Sequence, residues 1–207
     1  MNLNIMMDAS KLYIDPFHPE YPLMKRDFSG SARFKTRTER PPKYYFIDFG
    51  LSRRYDASVL NPLEYPVLGG DKQVPEFQDS GRDRPYNPFP TDVFYIGNAI
   101  KQDFLDVSLL FIMKHKSDIL QFKCGFEFMQ PLISDMVQTD PSKRPTMDEV
   151  VERFETIRLS LGKWKLRSRV VDTDQSKLEG IFSAAWHWLR QFEFVMRRLP
   201  AIPRPPS

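Results

Sequence analysis

Two short apolar runs near the start of the chain predict β-strands. The first is N-I-M-M-D over residues 4–8, and the second is Y-Y-F-I over residues 44–47, which is rich in strand-forming side chains. We expect the second strand to be buried because every position in it is apolar or aromatic. Asp48 follows directly, and Gly50 allows the chain to turn there. The pattern places a carboxylate where a strand ends and a loop begins.

Apolar residues at helical spacing predict several helices from residue 91 onward. Thr91 and Thr146 are the expected N-caps, and Glu149 would complete a capping box with Thr146. The helix after Thr146 should bury one apolar stripe made of Met147, Val150, Val151, Phe154 and Ile157. A helical turn is also expected at residues 75–77. The remaining helices are predicted from Asp92, over residues 106–122 and over residues 125–138.

The longest amphipathic pattern lies near the C-terminus, over residues 178–199. Apolar side chains recur there every three or four residues, with Arg190, Arg197 and Arg198 toward one end. Such a helix must cover something, and its own domain, the groove of a protein partner and a membrane surface are the alternatives. We expect it to pack on its own domain with Trp188 buried, so that Trp188→Ala would cost about 3–5 kcal/mol of stability.

Residues 9–42 lack any periodic pattern and are rich in proline, aromatic and basic residues, which predicts a long loop or insertion. Residues 24–43 hold seven basic side chains against two acidic ones, whereas the whole chain has a net charge of only +3. This basic segment could dock an acidic partner or a phosphate backbone, but a solvated surface insertion is the ordinary explanation. We do not expect nucleic-acid binding, because the segment lacks the interleaved aromatic residues of single-strand binding surfaces.

The composition is that of a folded chain, with 41% hydrophobic and 14% aromatic residues among 207. A single cysteine excludes an internal disulfide and is compatible with a reducing compartment. The first residues lack the basic flank and the apolar run of a signal peptide, and no window approaches a transmembrane segment. We therefore expect a soluble intracellular protein, either cytoplasmic or nuclear.

Four motifs, in the same order, resemble the C-terminal lobe of eukaryotic protein kinases. D-F-G at residues 48–50 matches the family's magnesium-binding motif, and V-P-E at residues 74–76 matches the A-P-E that closes the activation segment. D-V-F-Y-I-G at residues 92–97 is similar to the family's D-V-W-S-x-G, and D-P-S-K-R-P-T at residues 140–146 resembles D-P-x-x-R-P-T. The resemblance implies a mainly α, α+β fold, a kinase-like C-terminal lobe with a few short strands.

The resemblance also implies a site for ATP and Mg²⁺. Phosphoryl transfer needs hard oxygen ligands that hold magnesium between the phosphates. The family takes them from the D-F-G aspartate and from the asparagine of H-R-D-x-x-x-x-N, which here would be Asp48 and Asn4. The A-P-E glutamate of the family pairs with the R-P-T arginine, which would join Glu76 to Arg144. Asp92 would accept hydrogen bonds from the backbone of the catalytic loop.

Parts of the family pattern have no counterpart in the 207 residues. H-R-D would fall before Met1, so no catalytic aspartate can be assigned, and neither G-x-G-x-x-G nor the V-A-I-K lysine of the N-terminal lobe occurs. Two explanations fit, the C-terminal part of a longer kinase or a short, catalytically inactive scaffold or interaction module. The expected function is that of a protein kinase-like domain acting on Ser/Thr hydroxyls of a protein substrate, with the isolated chain inactive.

The motifs and the change of pattern along the chain predict two domains. Residues 1–162 would form the kinase-like C-terminal lobe, with the insertion at residues 9–42 and with the family's N-terminal lobe missing. Residues 163–207 would form a C-terminal extension that contains the amphipathic helix and a proline-rich tail. A protein substrate or protein partner is expected, including a partner groove for residues 178–199 as the alternative to packing within the chain.

Overall fold

The computed structural model describes residues 4–67, 71–78, 81, 83–105, 123–172 and 177–204. They form a mainly helical α+β structure with two compact units. The helical unit contains residues 1–2 and 49–183, and the insertion unit contains residues 3–48 together with 184–207. The division at residue 162 that the sequence predicted does not coincide with the boundary of either unit.

A two-stranded antiparallel sheet opens the insertion unit. It consists of β1 (Ile5–Met7) and β2 (Tyr44–Phe46), and Ile5 lies opposite Phe46. Both strands that the apolar runs predicted are therefore confirmed. The long separation between the two strands does not prevent their pairing, because the intervening segment folds back on itself.

The expected burial of the second strand is wrong. Tyr44, Tyr45 and Phe46 are between 50% and 61% exposed. A sheet of two strands has two faces, and each face stays open unless another layer of the structure covers it. An apolar run predicts the strand itself, but it does not say whether such a covering layer is present.

Residues 9–42 fold into an irregular but ordered insertion, as the absence of periodicity predicted. Isolated antiparallel bridges, such as the one between Tyr13 and Phe34, take the place of regular strands. The Tyr13 ring also stacks on Phe17 with 4.0 Å between ring centroids. Leu12 and Ala32 are buried. Backbone hydrogen bonds, an ion pair between Arg33 and Asp15, aromatic stacking and a few apolar contacts together hold the insertion in place.

The helices give the rest of the architecture, and their bounds follow in chain order. The α-helices of the described residues are α1 (Pro88–Ile100), α2 (Gln130–Met136), α3 (Met147–Ser160), α4 (Lys163–Leu166) and α5 (Lys177–Met196). Short 3₁₀ turns cover Pro75–Phe77, Glu127–Met129 and Pro141–Lys143, and a π-helical turn covers Lys101–Leu105. A second antiparallel pair joins β3 (Lys123–Cys124) to β4 (Val171–Asp172).

The helix predicted over residues 106–122 lies outside the described residues. The helix predicted over residues 125–138 is present as a 3₁₀ turn followed by α2. In the described part of the chain, no helix has both the length and the apolar content that crossing a bilayer requires.

The first long helix begins one turn earlier than the sequence predicted. Asn87 is its N-cap, and the Asn87 side chain accepts a hydrogen bond of 3.0 Å from the Phe89 amide. Pro88 occupies the first helical position, where the missing N–H of proline is not needed. Thr91 lies inside α1, so its predicted role as the N-cap is wrong. The proline-rich first turn, and not the apolar periodicity, fixes where this helix starts.

The capping box at the start of α3 is confirmed. The Thr146 amide donates to the Glu149 carboxylate at 2.7 Å, and the Glu149 amide donates to the Thr146 hydroxyl at 3.3 Å. The predicted apolar stripe of α3 is only partly buried. Val150 is buried, whereas Val151 and Phe154 are 56% and 42% exposed.

The C-terminal helix is confirmed as α5, but the predicted side of it is not the buried one. Gln191 and Phe194 are 8% and 3% exposed, whereas Trp188 is 42% exposed. The expected burial of Trp188 is therefore wrong, and a loss of about 3–5 kcal/mol on Trp188→Ala no longer follows. Helical spacing defines an apolar face, but the contacts of the folded unit decide which face is covered.

The core of the helical unit lies where α1, α2 and α3 pack together. It is built from Val93 of α1, Leu132, Ile133 and Met136 of α2, and Val150 of α3, together with Met129. Leu132, Ile133 and Met136 are each 1% exposed. These side chains come from helices that the periodicity predicted, so the sequence pattern and the core agree in this part of the chain.

Gly97 permits the close approach of α1 to α2, and its replacement tests this packing. A methyl group at Gly97 would lie 2.7 Å from Met136 Cβ, so one of the two helices would have to shift. We predict that Gly97→Ala lowers the free energy of unfolding by about 1–3 kcal/mol, the usual cost of overpacking. Denaturation in urea measures it.

Gly180→Ala is the matched control for Gly97→Ala. Gly180 lies in α5, and a methyl group there would meet no atom within 4 Å. It should leave stability unchanged or raise it by up to about 1 kcal/mol, because alanine favours a helix over glycine. Equal effects of the two substitutions would contradict close packing at Gly97.

Candidate functional site

Asn4 and Asp48 lie at the same end of the antiparallel β1–β2 pair, which we call the hairpin end. The antiparallel register continues past the strands, and the Ile47 amide donates to the Asn4 carbonyl oxygen at 2.9 Å. Asp48 is the next residue along the chain. The ladder therefore brings together two residues that the insertion separates in sequence, and it places both predicted magnesium ligands at one edge of the insertion unit.

Asp48 adopts an unusual backbone conformation. Its φ angle is +61°, in the left-handed region. This region costs an L-residue roughly 1–2 kcal/mol, although aspartate visits it more readily than most residues. Strain of this kind concentrates at functional sites, where the surrounding structure holds it. Asp48 is also exposed, so its carboxylate is accessible to a ligand.

The donor set at the hairpin end fits a cation that arrives with phosphate ligands of its own. A carboxylate and a carboxamide oxygen are hard donors of the kind Mg²⁺ prefers, and Mg²⁺ is commonly held by one or two protein groups plus substrate phosphates. Within the described ranges, no group of three or more His, Cys, Asp or Glu residues is suited to hold a metal ion. A carboxylate and a carboxamide at the same end of the strand pair are donor types that Mg²⁺ accepts.

In the helical unit, Glu76 and Arg144 form a buried ion pair, which we call the anchor pair. Arg144 Nη2 lies 2.6 Å from Glu76 Oε2, and Arg144 Nη1 lies 2.7 Å from Glu76 Oε1. The arginine side chain is 0% exposed and the glutamate side chain is 3% exposed. The pair that the sequence predicted between V-P-E and R-P-T is present, with the two-pronged geometry in which arginine binds carboxylates most strongly.

Further hydrogen bonds satisfy the anchor pair on both sides. Arg144 Nε donates to the Gln138 carbonyl at 2.8 Å, and Nη1 also donates to the Pro90 carbonyl at 3.0 Å. The Thr91 hydroxyl donates to Glu76 Oε1 at 3.0 Å. The pair therefore joins the turn at residues 75–77, the first turn of α1 and the chain before α3. Thr91, which sequence reasoning assigned to a helix cap, instead completes this network.

The electrostatics of Glu76 reflect these contacts. Burial acts to raise the pKa of the Glu76 carboxyl. Hydrogen bonds from Arg144, the backbone and Thr91, together with the positive charge of Arg144, outweigh burial. The pKa of Glu76 therefore lies below its ordinary value of 4.5. The Arg144 guanidinium also lies 4.9 Å from the centroid of the Phe94 ring, a favourable cation–π distance. Glu76 is therefore ionised and paired at neutral pH.

A second polar network, which sequence reasoning missed, attaches the chain before Glu76 to α1. The buried Asn98 side chain donates to the Asp71 carboxylate and, at 3.1 Å, to Gln73 Oε1. Gln102 donates to the same Gln73 oxygen at 2.8 Å. None of these residues belongs to a motif that the sequence analysis used. The available signal was the polar Asn98 among the mostly apolar side chains of α1.

Asp92 and Tyr95 have a different environment from the anchor pair. Asp92 is exposed, and its side chain accepts no hydrogen bond from any described residue, so its expected role stays a prediction. Desolvation nevertheless raises the pKa of the Asp92 carboxyl. The Tyr95 hydroxyl is buried without a hydrogen-bond partner in the described structure, and burial, with the nearby charges of Asp92, Asp71 and Glu76, raises its pKa to about 12.

Comparison of the chain with protein-family models, with curated proteins and with solved structures finds no match. The assignment of a function therefore depends on the residues and their geometry. Two features carry functional information: the hairpin end with Asn4 and Asp48, and the anchor pair with its supporting hydrogen bonds.

Arg144→Ala tests the anchor pair. The substitution leaves the Glu76 carboxylate buried without its partner, and we predict a loss of about 3–5 kcal/mol in the free energy of unfolding. The double change Glu76→Gln with Arg144→Met should recover much of this loss, because it removes both buried charges. Thermal and urea denaturation measure both effects.

Arg153→Ala is the matched control for Arg144→Ala. Arg153 forms an ion pair with Asp135 at 2.6 Å, but the two side chains are 41% and 43% exposed. Exposed pairs contribute roughly 0–1 kcal/mol, so this variant should unfold almost as the wild type does. If Arg144→Ala and Arg153→Ala cost the same, the anchor pair does not hold the helical unit together.

The anchor pair also predicts a pH dependence of stability. Because the pKa of Glu76 in the folded state lies below its ordinary value of 4.5, the pair stabilises the fold above that pH, and this stabilisation is lost as the pH falls through the folded-state pKa. As the pH falls below 4.5, the wild type should lose stability relative to the Glu76→Gln, Arg144→Met variant. A difference that is independent of pH would contradict an ionised Glu76.

Proposed function

We propose that this chain is the C-terminal lobe of a protein-kinase-like domain, whose family transfers phosphate from ATP to Ser and Thr hydroxyls of proteins. The observation that carries the proposal is the anchor pair. Glu76 and Arg144 stand 68 positions apart, in the motifs V-P-E and R-P-T, and meet in a buried, two-pronged ion pair. A pairing at this separation has no local cause, so it supports the proposed family more strongly than either motif alone.

The hairpin end is the second line of support. In the proposed function, Asn4 and Asp48 would hold Mg²⁺, which would supply positive charge next to the phosphates of ATP. The backbone supports this role. The hydrogen bond from the Ile47 amide to the Asn4 carbonyl brings Asn4 and Asp48 to the same end of the two strands.

The segment between the D-F-G and V-P-E motifs would present the protein substrate in the proposed function. A backbone bridge attaches its described part to the chain before α1, and an ion pair joins two of its own residues. Arg53 forms an ion pair of 2.9 Å with Glu64, and Glu64 pairs through its backbone with Tyr86 just before α1. The anchor pair fixes the end of the segment. These contacts support the proposal because they hold the segment in place in its middle and at its end.

A catalytically inactive scaffold or interaction module is the second candidate. The anchor pair is compatible with it as well, because a buried ion pair stabilises the helical unit whether or not phosphate is transferred. The reading frame upstream of Met1 separates the two candidates. A kinase requires H-R-D there, with its aspartate five residues before Asn4, whereas a scaffold imposes no such requirement.

The isolated chain is predicted to transfer no phosphate, because the family uses a catalytic aspartate and a phosphate-covering lobe that these residues do not supply. Incubation of the purified chain with labelled ATP, Mg²⁺ and a general kinase substrate measures this. Transfer that depends on magnesium and is abolished by Asp48→Asn would contradict the prediction.

A longer chain, extended upstream by an H-R-D loop and an N-terminal kinase lobe, tests whether these residues support phosphate transfer when the missing parts are supplied. We expect it to transfer phosphate with Mg²⁺ and to lose this activity on Asp48→Asn. Asp8→Asn is the matched control, because Asp8 follows β1 at the opposite end of the hairpin. If a folded extended chain were inactive, or if both substitutions acted alike, the proposed role of Asp48 would be wrong.

A further inference from the structure

The part of α5 that belongs to the insertion unit turns its large apolar side chains outward. Trp186, Leu189, Phe192 and Met196 are 70%, 66%, 66% and 68% exposed. They follow one another at intervals of three or four residues, so they share one face of the helix, which we call the outer face. An exposed apolar surface of this kind is uncommon on soluble monomers and marks an interaction site.

The opposite side of α5 is held within the insertion unit. Gln191 and Phe194 are buried, and they lie on the side of the helix away from the outer face. Arg197, directly after the helix, forms an ion pair with Glu39 of the insertion at 3.1 Å, and its second ion pair, of 3.0 Å, is with Glu193 of α5 itself. The helix is therefore fixed in this orientation and presents its outer face outside the unit.

The charge of the insertion unit indicates what the outer face contacts. Its residues include twelve basic and seven acidic side chains, a net charge of +5, whereas the remainder of the chain sums to −2. Arg190, Arg198 and Arg204 lie within or just after α5 and are exposed. Pairing two copies of the chain through this face would bring two strongly basic units together. A surface of acidic headgroups over an apolar interior complements both the charge and the side chains.

We propose that the outer face of α5 docks on a membrane surface that contains anionic lipids, with the helix lying in the plane of the interface. Trp186, Leu189, Phe192 and Met196 enter the boundary between headgroups and acyl chains, the depth at which tryptophan is favoured. The basic residues of the insertion unit contact the headgroups. This proposal does not depend on the proposed kinase-like function. It places the chain at a membrane surface, although none of its described helices is long and apolar enough to cross the bilayer.

Co-sedimentation of the full chain with vesicles tests the proposal. We expect binding to phosphatidylcholine vesicles that contain phosphatidylserine, weakening with added salt, and no binding to pure phosphatidylcholine vesicles. The double variant Leu189→Gln with Phe192→Gln should bind at least about tenfold more weakly, since it removes two large apolar groups from the interface. Leu159→Gln is the matched control: Leu159 is 73% exposed on α3, and its replacement should not change binding.

Arg190→Gln and Arg198→Gln should each weaken binding by about fivefold, because each removes one headgroup contact. If the melting temperature of the double apolar variant shows misfolding, Trp186→Gln alone replaces it, since this side chain is 70% exposed. Equal binding of wild type and the apolar variants, or binding that ignores anionic lipid, would overturn the proposal. So would a dimer in solution that the apolar variants dissociate, since the face would then bind a second copy.

Discussion

The buried ion pair between Glu76 and Arg144 is the interaction on which the helical unit depends. Two charges removed from water are costly, and they stabilise a fold only when their geometry is good and their remaining donors and acceptors are satisfied. Both conditions hold, because the pair is two-pronged and Gln138, Pro90 and Thr91 supply further hydrogen bonds. The pair thereby fixes the end of a long irregular segment against α1 and the start of α3.

The parts of the structure that the sequence predicted arise from local interactions or from recognisable motifs. The capping box of Thr146 and Glu149 needs only residues three positions apart, and β1 and β2 are apolar runs bounded by turn residues. The anchor pair is distant in sequence, and it was predictable only because V-P-E and R-P-T resemble motifs whose partners are known. The core of α1, α2 and α3 followed from helical spacing.

The parts that the sequence did not predict depend on non-local packing. Trp188 is more exposed than expected because α5 is covered on the side of Gln191 and Phe194. The exposure of β2 depends on whether a layer covers the sheet, which no residue of the strand encodes. The contacts of Asn98 with Asp71 and Gln73 join two segments without a motif. Such features depend on surface complementarity, which periodicity does not measure.

Hydrogen exchange of Arg144→Lys tests the central claim, that one ion pair couples three segments, most directly. Lysine keeps the charge but cannot form the two-pronged contact or reach both carbonyls. The account predicts that the amides of Gln78 and of residue 144, which bond to Pro75 and Pro141, lose protection together and by more than the Val150 amide in α3 does. Unchanged protection at Gln78, or loss confined to Arg144, would contradict it.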